Sequence, residues 1–241
     1  IGNRLCENRL VDAEKFATIA SLLGAEYPEK ALDKAWRQVL CGQHHDSITG
    51  THNEISHVDL VTSYREALEL ATDVLDDALR HITRAIGDFA PKLRKGLRCE
   101  RVVVFNPLTW ARTDVAKHTV SLDMYRKGFE VRNAEGAVVP HEVVRTRSHE
   151  GKDYAADIAF VAADVPSLGY RQYFVVEAAR PVTLSALASG NTIENEFYKI
   201  TVDPARGGGI CSLYDKTARK EVINAAAHVL FEHLGYEGDE I

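Results

Sequence analysis

The first third of the chain carries apolar residues at intervals of three and four, the spacing of one face of an α-helix. The first stripe contains Leu10, Ala13, Phe16, Ala17, Ala20 and Leu23. Gly24 follows it, where a helix C-cap is expected. A second stripe contains Leu32, Trp36, Val39 and Leu40. Because proline is common at the first position of a helix, we expect the second helix to begin at Pro28.

A third, longer stripe predicts a third helix. Its members are Tyr64, Leu68, Ala71, Leu75, Ala78, Ile82 and Ala85. Thr51 and Glu54 have the spacing of a capping box and predict where this helix begins. Arg80, His81 and Arg84 lie in its last turns, where positive charge opposes the negative end of the helix dipole. Three amphipathic helices with short connections predict a three-helix bundle over residues 1–88.

Beyond the helical third, apolar residues alternate with polar ones, which is typical of β-strands. Strands are predicted over residues 101–105, 129–132, 137–139, 155–165 and 170–177, with a hairpin turn at 133–136. They predict a small antiparallel β-sandwich over residues 98–180. Residues 180–190 resemble a linker. Strands at 192–202 and 209–213 then predict the start of a second β domain over residues 190–241, which the chain leaves incomplete. The predicted fold class is therefore α+β.

Composition excludes some classes of function. The chain has 241 residues and a formal charge of −6, so it offers no basic surface for nucleic acid or anionic membranes. No apolar run approaches the roughly 20 residues of a membrane-spanning helix. The four cysteines are widely spaced and resemble free thiols of a reducing compartment, which predicts a cytoplasmic location. The chain starts at Ile1 without a methionine, and we expect it to be a segment of a longer protein.

Residues 41–52, CGQHHDSITGTH, concentrate side chains that can bind a metal. Neighbouring residues of a regular helix point about 100° apart, so the triplet His44, His45 and Asp46 is expected to give one ion at most one or two ligands. A catalytic zinc needs about three protein ligands, so the others must come from elsewhere. Two readings remain open: histidines that only interact with a helix end, or a site at an exposed junction between helices. His52 and His57 are interpreted as surface residues.

Three segments together resemble the glycoside hydrolase family 38 α-mannosidases. Residues 43–51, QHHDSITGT, are similar to the histidine-histidine-aspartate signature of that family. Residues 102–115, VVVFNPLTWARTDV, resemble the strand that follows its helical bundle. Residues 193–216, IENEFYKITVDPARGGGICSLYDK, resemble the first strands of its large C-terminal β domain. The resemblance covers nearly the whole chain.

The resemblance implies a retaining, zinc-dependent enzyme that removes terminal non-reducing α-D-mannose from mannosides and mannose-containing oligosaccharides. It implies that His45 binds the zinc ion, that Asp46 binds sugar hydroxyls, and that His44 shapes the same pocket. The remaining zinc ligands and the catalytic nucleophile belong to an N-terminal domain that we expect upstream of this chain. No catalytic residue is therefore predicted within the segment. We expect the isolated chain to be inactive and to bind zinc weakly.

Two other functions fit parts of the sequence. A non-catalytic module that binds carbohydrate or serves as a structural element is compatible with a bundle followed by a sandwich. A metal-dependent phosphohydrolase of the HD type also uses a histidine-aspartate pair on helices. That all-helical fold has no place for the β-rich half from residue 98 onward, which disfavours the second alternative.

Overall fold

Helices make up the first third of the computed structural model, which describes residues 1–87, 98–149, 152–178 and 188–223. The helices are α1 (Gly2–Leu22), α2 (Glu29–Gly42), α3 (His45–Ile48) and α4 (Glu54–Ala85). Helix α4 packs along α1 and α2, and the three enclose a core of aliphatic and aromatic side chains. Leu10, Phe16 and Val39 are each at most 3% exposed within it. The apolar stripes of the sequence therefore face one another, as amphipathic helices require.

Two predicted helix starts are shifted. Pro28 is the N-cap of α2 rather than its first residue. Helix α4 begins after Asn53, whose side chain accepts a hydrogen bond from the backbone nitrogen of Ser56 at 2.9 Å. The predicted capping box of Thr51 and Glu54 is therefore wrong. Asparagine is among the strongest N-cap residues and lies next to the first helical turn, whereas Thr51 bonds elsewhere.

Two antiparallel sheets follow the bundle. The elements of this region, seven strands and one short helix, are β1 (Cys99–Phe105), β2 (Arg112–Ser121), α5 (Leu122–Lys127), β3 (Phe129–Asn133), β4 (Val138–Val139), β5 (His141–His149), β6 (Lys152–Val165) and β7 (Tyr170–Glu177). One sheet has the order β1-β7-β3-β4 and the other β2-β6-β5. A shared core between them contains Val131, Ile158, Phe160, Tyr173 and Val175. The predicted hairpin is confirmed, since Val131 pairs with Val139 and Arg132 with Val138.

Strand β1 joins the sheets to the bundle. Val103 and Phe105 pack against the helical core, and the rings of Phe16 and Phe105 meet edge to face with centroids 5.5 Å apart. Arg101 donates hydrogen bonds to the carbonyl oxygens of Thr83 and Ile86 at the end of α4. The bundle and the two sheets therefore form one compact unit, Ile1–Val182.

A second compact unit, Thr183–Ile241, is described over residues 188–223. It contains one antiparallel sheet in the order β12-β11-β10-β9-β8, with strands β8 (Ala188–Ser189), β9 (Thr192–Glu194), β10 (Tyr198–Asp203), β11 (Gly209–Asp215) and β12 (Lys220–Glu221). The single strand predicted over 192–202 is wrong. The side chain of Asn195 accepts hydrogen bonds from the backbone nitrogens of Phe197 and Tyr198, which turns the chain between β9 and β10.

The combination of helices with antiparallel sheets confirms the predicted α+β class. Most of the predicted linker, residues 180–187, lies outside the described residues, and so do residues 224–241 of the predicted second β domain. Each helix of the described part of the chain is either too short or too polar to span a bilayer.

Candidate functional site

The histidine-aspartate triplet lies where the chain passes from α2 into α3. Helix α2 ends at Gly42, and His44 then takes φ −53° and ψ 140°, outside the helical region. His44 is the N-cap of α3, a helix of only 4 residues. Because His44 is not helical, the 100° separation of neighbouring helical side chains does not apply between it and His45.

This turn brings the three side chains together. Their possible metal-binding atoms all lie within 4.8 Å of one another, and across the described residues this is the one such group of three. The imidazole rings of His44 and His45 have centroids 4.2 Å apart. His45 Nε2 lies 3.5 Å from Asp46 Oδ1, with side chains 80% and 66% exposed. The non-helical backbone of His44 therefore brings the three side chains closer than a regular helix would, while the number of them that binds an ion stays a prediction.

The chemistry of the group fits a divalent metal ion. Imidazole nitrogen and carboxylate oxygen are ordinary zinc ligands, at about 2.0–2.2 Å from the ion. The exposure of the group is compatible with further ligands arriving from another part of a protein.

The loop after the triplet binds back to its main chain. Thr49 Oγ1 donates to the carbonyl oxygen of His45 at 2.6 Å. Gly50 has φ +78°, a left-handed conformation that glycine adopts without strain, and it turns the loop back. The amide nitrogen and Oγ1 of Thr51 both donate to the carbonyl oxygen of Asp46, at 3.2 and 3.1 Å. The threonines of the QHHDSITGT segment thus fix the backbone that carries the triplet.

His52 and His57, interpreted from the sequence as surface residues, also contact this turn or each other. His52 Nδ1 lies 3.3 Å from the carbonyl oxygen of Asp46. Its Nε2 lies 3.1 Å from His57 Nδ1. Their spacing of five residues matches no helical face, so periodicity offered no signal for the contact. The turn at Asn53 between them creates it.

The helices on either side anchor the triplet. Gln43 Nε2 donates to Asn3 Oδ1 in α1 at 3.1 Å, so the glutamine of the signature ties the turn to the bundle. The phenol of Tyr64 in α4 packs next to Gly42, and burial raises the pKa of this phenol. Beside the turn lies an open cavity of about 590 Å³, whose lining includes Ile48, His52, His57 and Val61.

Comparisons with known proteins identify relatives of this chain. Residues 1–82 match the family model of the α-mannosidase middle domain. The chain is 31% identical over 116 residues to α-mannosidase 2C1 of Mus musculus, covering 47% of this chain and 10% of that protein. It is 25% identical over 184 residues to the lysosomal α-mannosidase of Homo sapiens, covering 68% and 18%. This chain therefore spans less than a fifth of the length of these curated relatives.

A solved structure shares the fold. A protein of glycosyl hydrolase family 38 from Enterococcus faecalis superposes with a TM-score of 0.66 at 21% identity, covering 90% of this chain and 29% of that one. The middle-domain match includes the turn that carries His44, His45 and Asp46. The predicted resemblance to the glycoside hydrolase family 38 α-mannosidases is thus confirmed, with residues 1–82 matching the α-mannosidase middle domain.

Proposed function

We propose that this chain is part of a retaining, zinc-dependent α-mannosidase that hydrolyses terminal non-reducing α-D-mannose residues. The observation that carries the proposal is the exposed group of His44, His45 and Asp46 within residues 1–82, which match the α-mannosidase middle domain. The named relatives are α-mannosidases, which supports mannosides as the substrate class.

Each member of the group has a separate task in this proposal. His45 is the zinc ligand, through a neutral imidazole. Asp46 accepts hydrogen bonds from sugar hydroxyls, and its negative charge makes those bonds stronger than neutral ones. His44, with its ring against that of His45, shapes the wall of the sugar pocket. Bound zinc supplies positive charge close to the sugar hydroxyls.

The bond-breaking groups lie elsewhere in the longer protein under this proposal. A retaining glycosidase needs two carboxyl groups about 5–5.5 Å apart, one as nucleophile and one as acid and base. Asp46 is assigned to substrate binding, so both groups must belong to another domain. That domain also supplies the remaining zinc ligands. The isolated chain is therefore proposed to be inactive and to bind zinc weakly.

Two variants of the longer enzyme separate the two main roles. His45→Ala removes a metal ligand, so we expect zinc affinity to fall at least about 100-fold and activity to fall with it. Asp46→Ala removes charged hydrogen bonds to the sugar, so kcat/KM for an aryl α-mannoside should fall about 100-fold while zinc stays bound. Asp73→Ala, an exposed carboxylate of α4, is the matched control. Full activity of both site variants would refute the assignment.

Calorimetric titration of the isolated chain with zinc chloride tests the dependence on the missing domain. Weak or undetectable binding is expected, together with no hydrolysis of an aryl α-mannoside. Tight one-to-one binding with turnover would show that this chain contains a complete site, and the proposal of a shared site would then be wrong.

A further inference from the structure

The backbone of Asp46 needs support from outside its own helix. Helix α3 has 4 residues, far fewer than a helix needs to be stable by itself in water. The side chains of His45 and Asp46 are largely exposed, so packing does not hold them in place. The direction of the Asp46 carboxylate therefore depends on hydrogen bonds to the main chain of the turn.

Three donors converge on the carbonyl oxygen of Asp46. They are the amide nitrogen of Thr51 at 3.2 Å, Thr51 Oγ1 at 3.1 Å and His52 Nδ1 at 3.3 Å. A carbonyl oxygen only accepts hydrogen bonds, so His52 Nδ1 must carry the proton in this contact. The contact therefore selects one tautomer of the neutral His52 ring, with Nδ1 protonated and Nε2 bare.

The unprotonated Nε2 of His52 accepts a hydrogen bond of its own. His57 Nδ1 lies 3.1 Å from His52 Nε2, and the two rings are inclined by only 14° with centroids 5.3 Å apart. In an in-line hydrogen bond between two imidazole rings, the centroids are farther apart than the bonded nitrogens by about two ring radii. The two distances here fit that arrangement rather than face-to-face stacking. His57 therefore donates to His52. Since His57 lies in the first turns of α4, the chain of bonds connects Asp46 to a helix of 32 residues.

We infer that His52, oriented by His57, is a positioning residue for Asp46, the residue that the proposed function assigns to substrate binding. His52 holds the main chain of the turn while Thr51 closes it from the same side. Neither histidine touches the sugar or the metal in this arrangement. The inference rests on the proposed function, because Asp46 has a substrate to meet only within an α-mannosidase.

Kinetics of the longer enzyme test the inference. His52→Ala removes one hydrogen bond to the turn, so we expect KM for an aryl α-mannoside to rise about 5-fold, with a smaller change in kcat and unchanged zinc affinity. His52→Asn should recover most of this loss, because the asparagine amide can donate from the place of Nδ1. His57→Ala should have a smaller effect in the same direction. His81→Ala is the matched control, since His81 is also in α4 and its ring contacts the carbonyl oxygen of Leu23.

Nitrogen NMR of the histidine rings in the chain itself gives a reading that does not depend on activity. The inference requires His52 to carry its proton on Nδ1, and His57→Ala should weaken that preference. A proton on Nε2 of His52, or wild-type kinetics in His52→Ala, would overturn it. If His45→Ala and Asp46→Ala also keep full activity, the proposed function is wrong. If only His52→Ala is silent, the positioning role alone is wrong.

Discussion

Asn106 shows how one side chain can determine a corner of the fold. It lies in the segment VVVFNPLTW and is only 2% exposed. Its Nδ2 lies 2.7 to 3.1 Å from the carbonyl oxygens of Trp110, Val165 and Pro166, so its two hydrogens are shared among three acceptors, and its Oδ1 accepts from the amide nitrogen of Leu108 at 3.0 Å. The asparagine of this motif therefore holds together the ends of strands from both sheets. This role is structural and was not visible in the sequence.

We expect Asn106→Ala to reduce the free energy of unfolding by about 3 kcal/mol, because several buried or part-buried backbone groups would lose a hydrogen bond to this side chain. Asn106→Asp should be worse, since a carboxylate cannot donate to carbonyl oxygens. Urea denaturation followed by circular dichroism measures both. Asn133→Ala is the control: Asn133 accepts one turn hydrogen bond from Ala137 and should cost about 1 kcal/mol or less. A loss for Asn106→Ala no larger than that of the control would contradict the role.

At the scale of elements, the sequence predicted the helices and strands that have a periodic apolar pattern and missed those that lack one. The long helices were found because many apolar positions share one face. Helix α3 has 4 residues, too few to show a period. Strand β2 was missed because it is polar and largely exposed from Arg112 to Val115. The members of the candidate site were identified from their residue types, but their proximity depends on the non-helical φ and ψ of His44, which no local pattern encodes.

The tight packing of α2 against α4 beside the site leads to a prediction about stability. A β-carbon added to Gly42 would lie 2.5 Å from the Tyr64 hydroxyl and 2.7 Å from Leu60 Cδ1, so both side chains of α4 would have to shift from their packed positions. We therefore expect Gly42→Ala to destabilise the chain by about 1–3 kcal/mol, despite the better helix propensity of alanine. Thermal denaturation measures the change.

Leu60→Ala supplies the control for Gly42→Ala. It opens space next to Gly42, so the loss caused by Gly42→Ala should be smaller in the Leu60→Ala background than in the wild type. Equal losses in the two backgrounds would show that helix packing at this point is not the cause.

For the whole molecule, the main consequence of the fold is that the bundle and the sandwich share an interface. Phe105 packs against the bundle core, Arg101 donates to the carbonyl oxygens of Thr83 and Ile86 at the end of α4, and Lys15 of α1 donates to the carbonyl oxygen of Pro107 at 3.0 Å. An apolar contact combined with part-buried hydrogen bonds from side chains to carbonyl oxygens couples the two halves energetically. The sequence suggested separate bundle and sandwich domains because its periodicity changes between them, and periodicity carries no information about contacts between elements.

We expect residues 1–178 to unfold in one transition, and the tryptophans allow a direct test. The chain has 2, Trp36 in the bundle and Trp110 at the start of the sandwich. Trp110→Phe leaves a reporter of the bundle only, and Trp36→Phe a reporter of the sandwich only. The urea transition of Trp110→Phe, followed by fluorescence, should coincide with that of Trp36→Phe. Adding Phe105→Ala should move both transitions to lower urea together, by about 3 kcal/mol in free energy. Two separate transitions, or a shift of one reporter alone, would show that the halves unfold independently and that the β1 interface does not couple them.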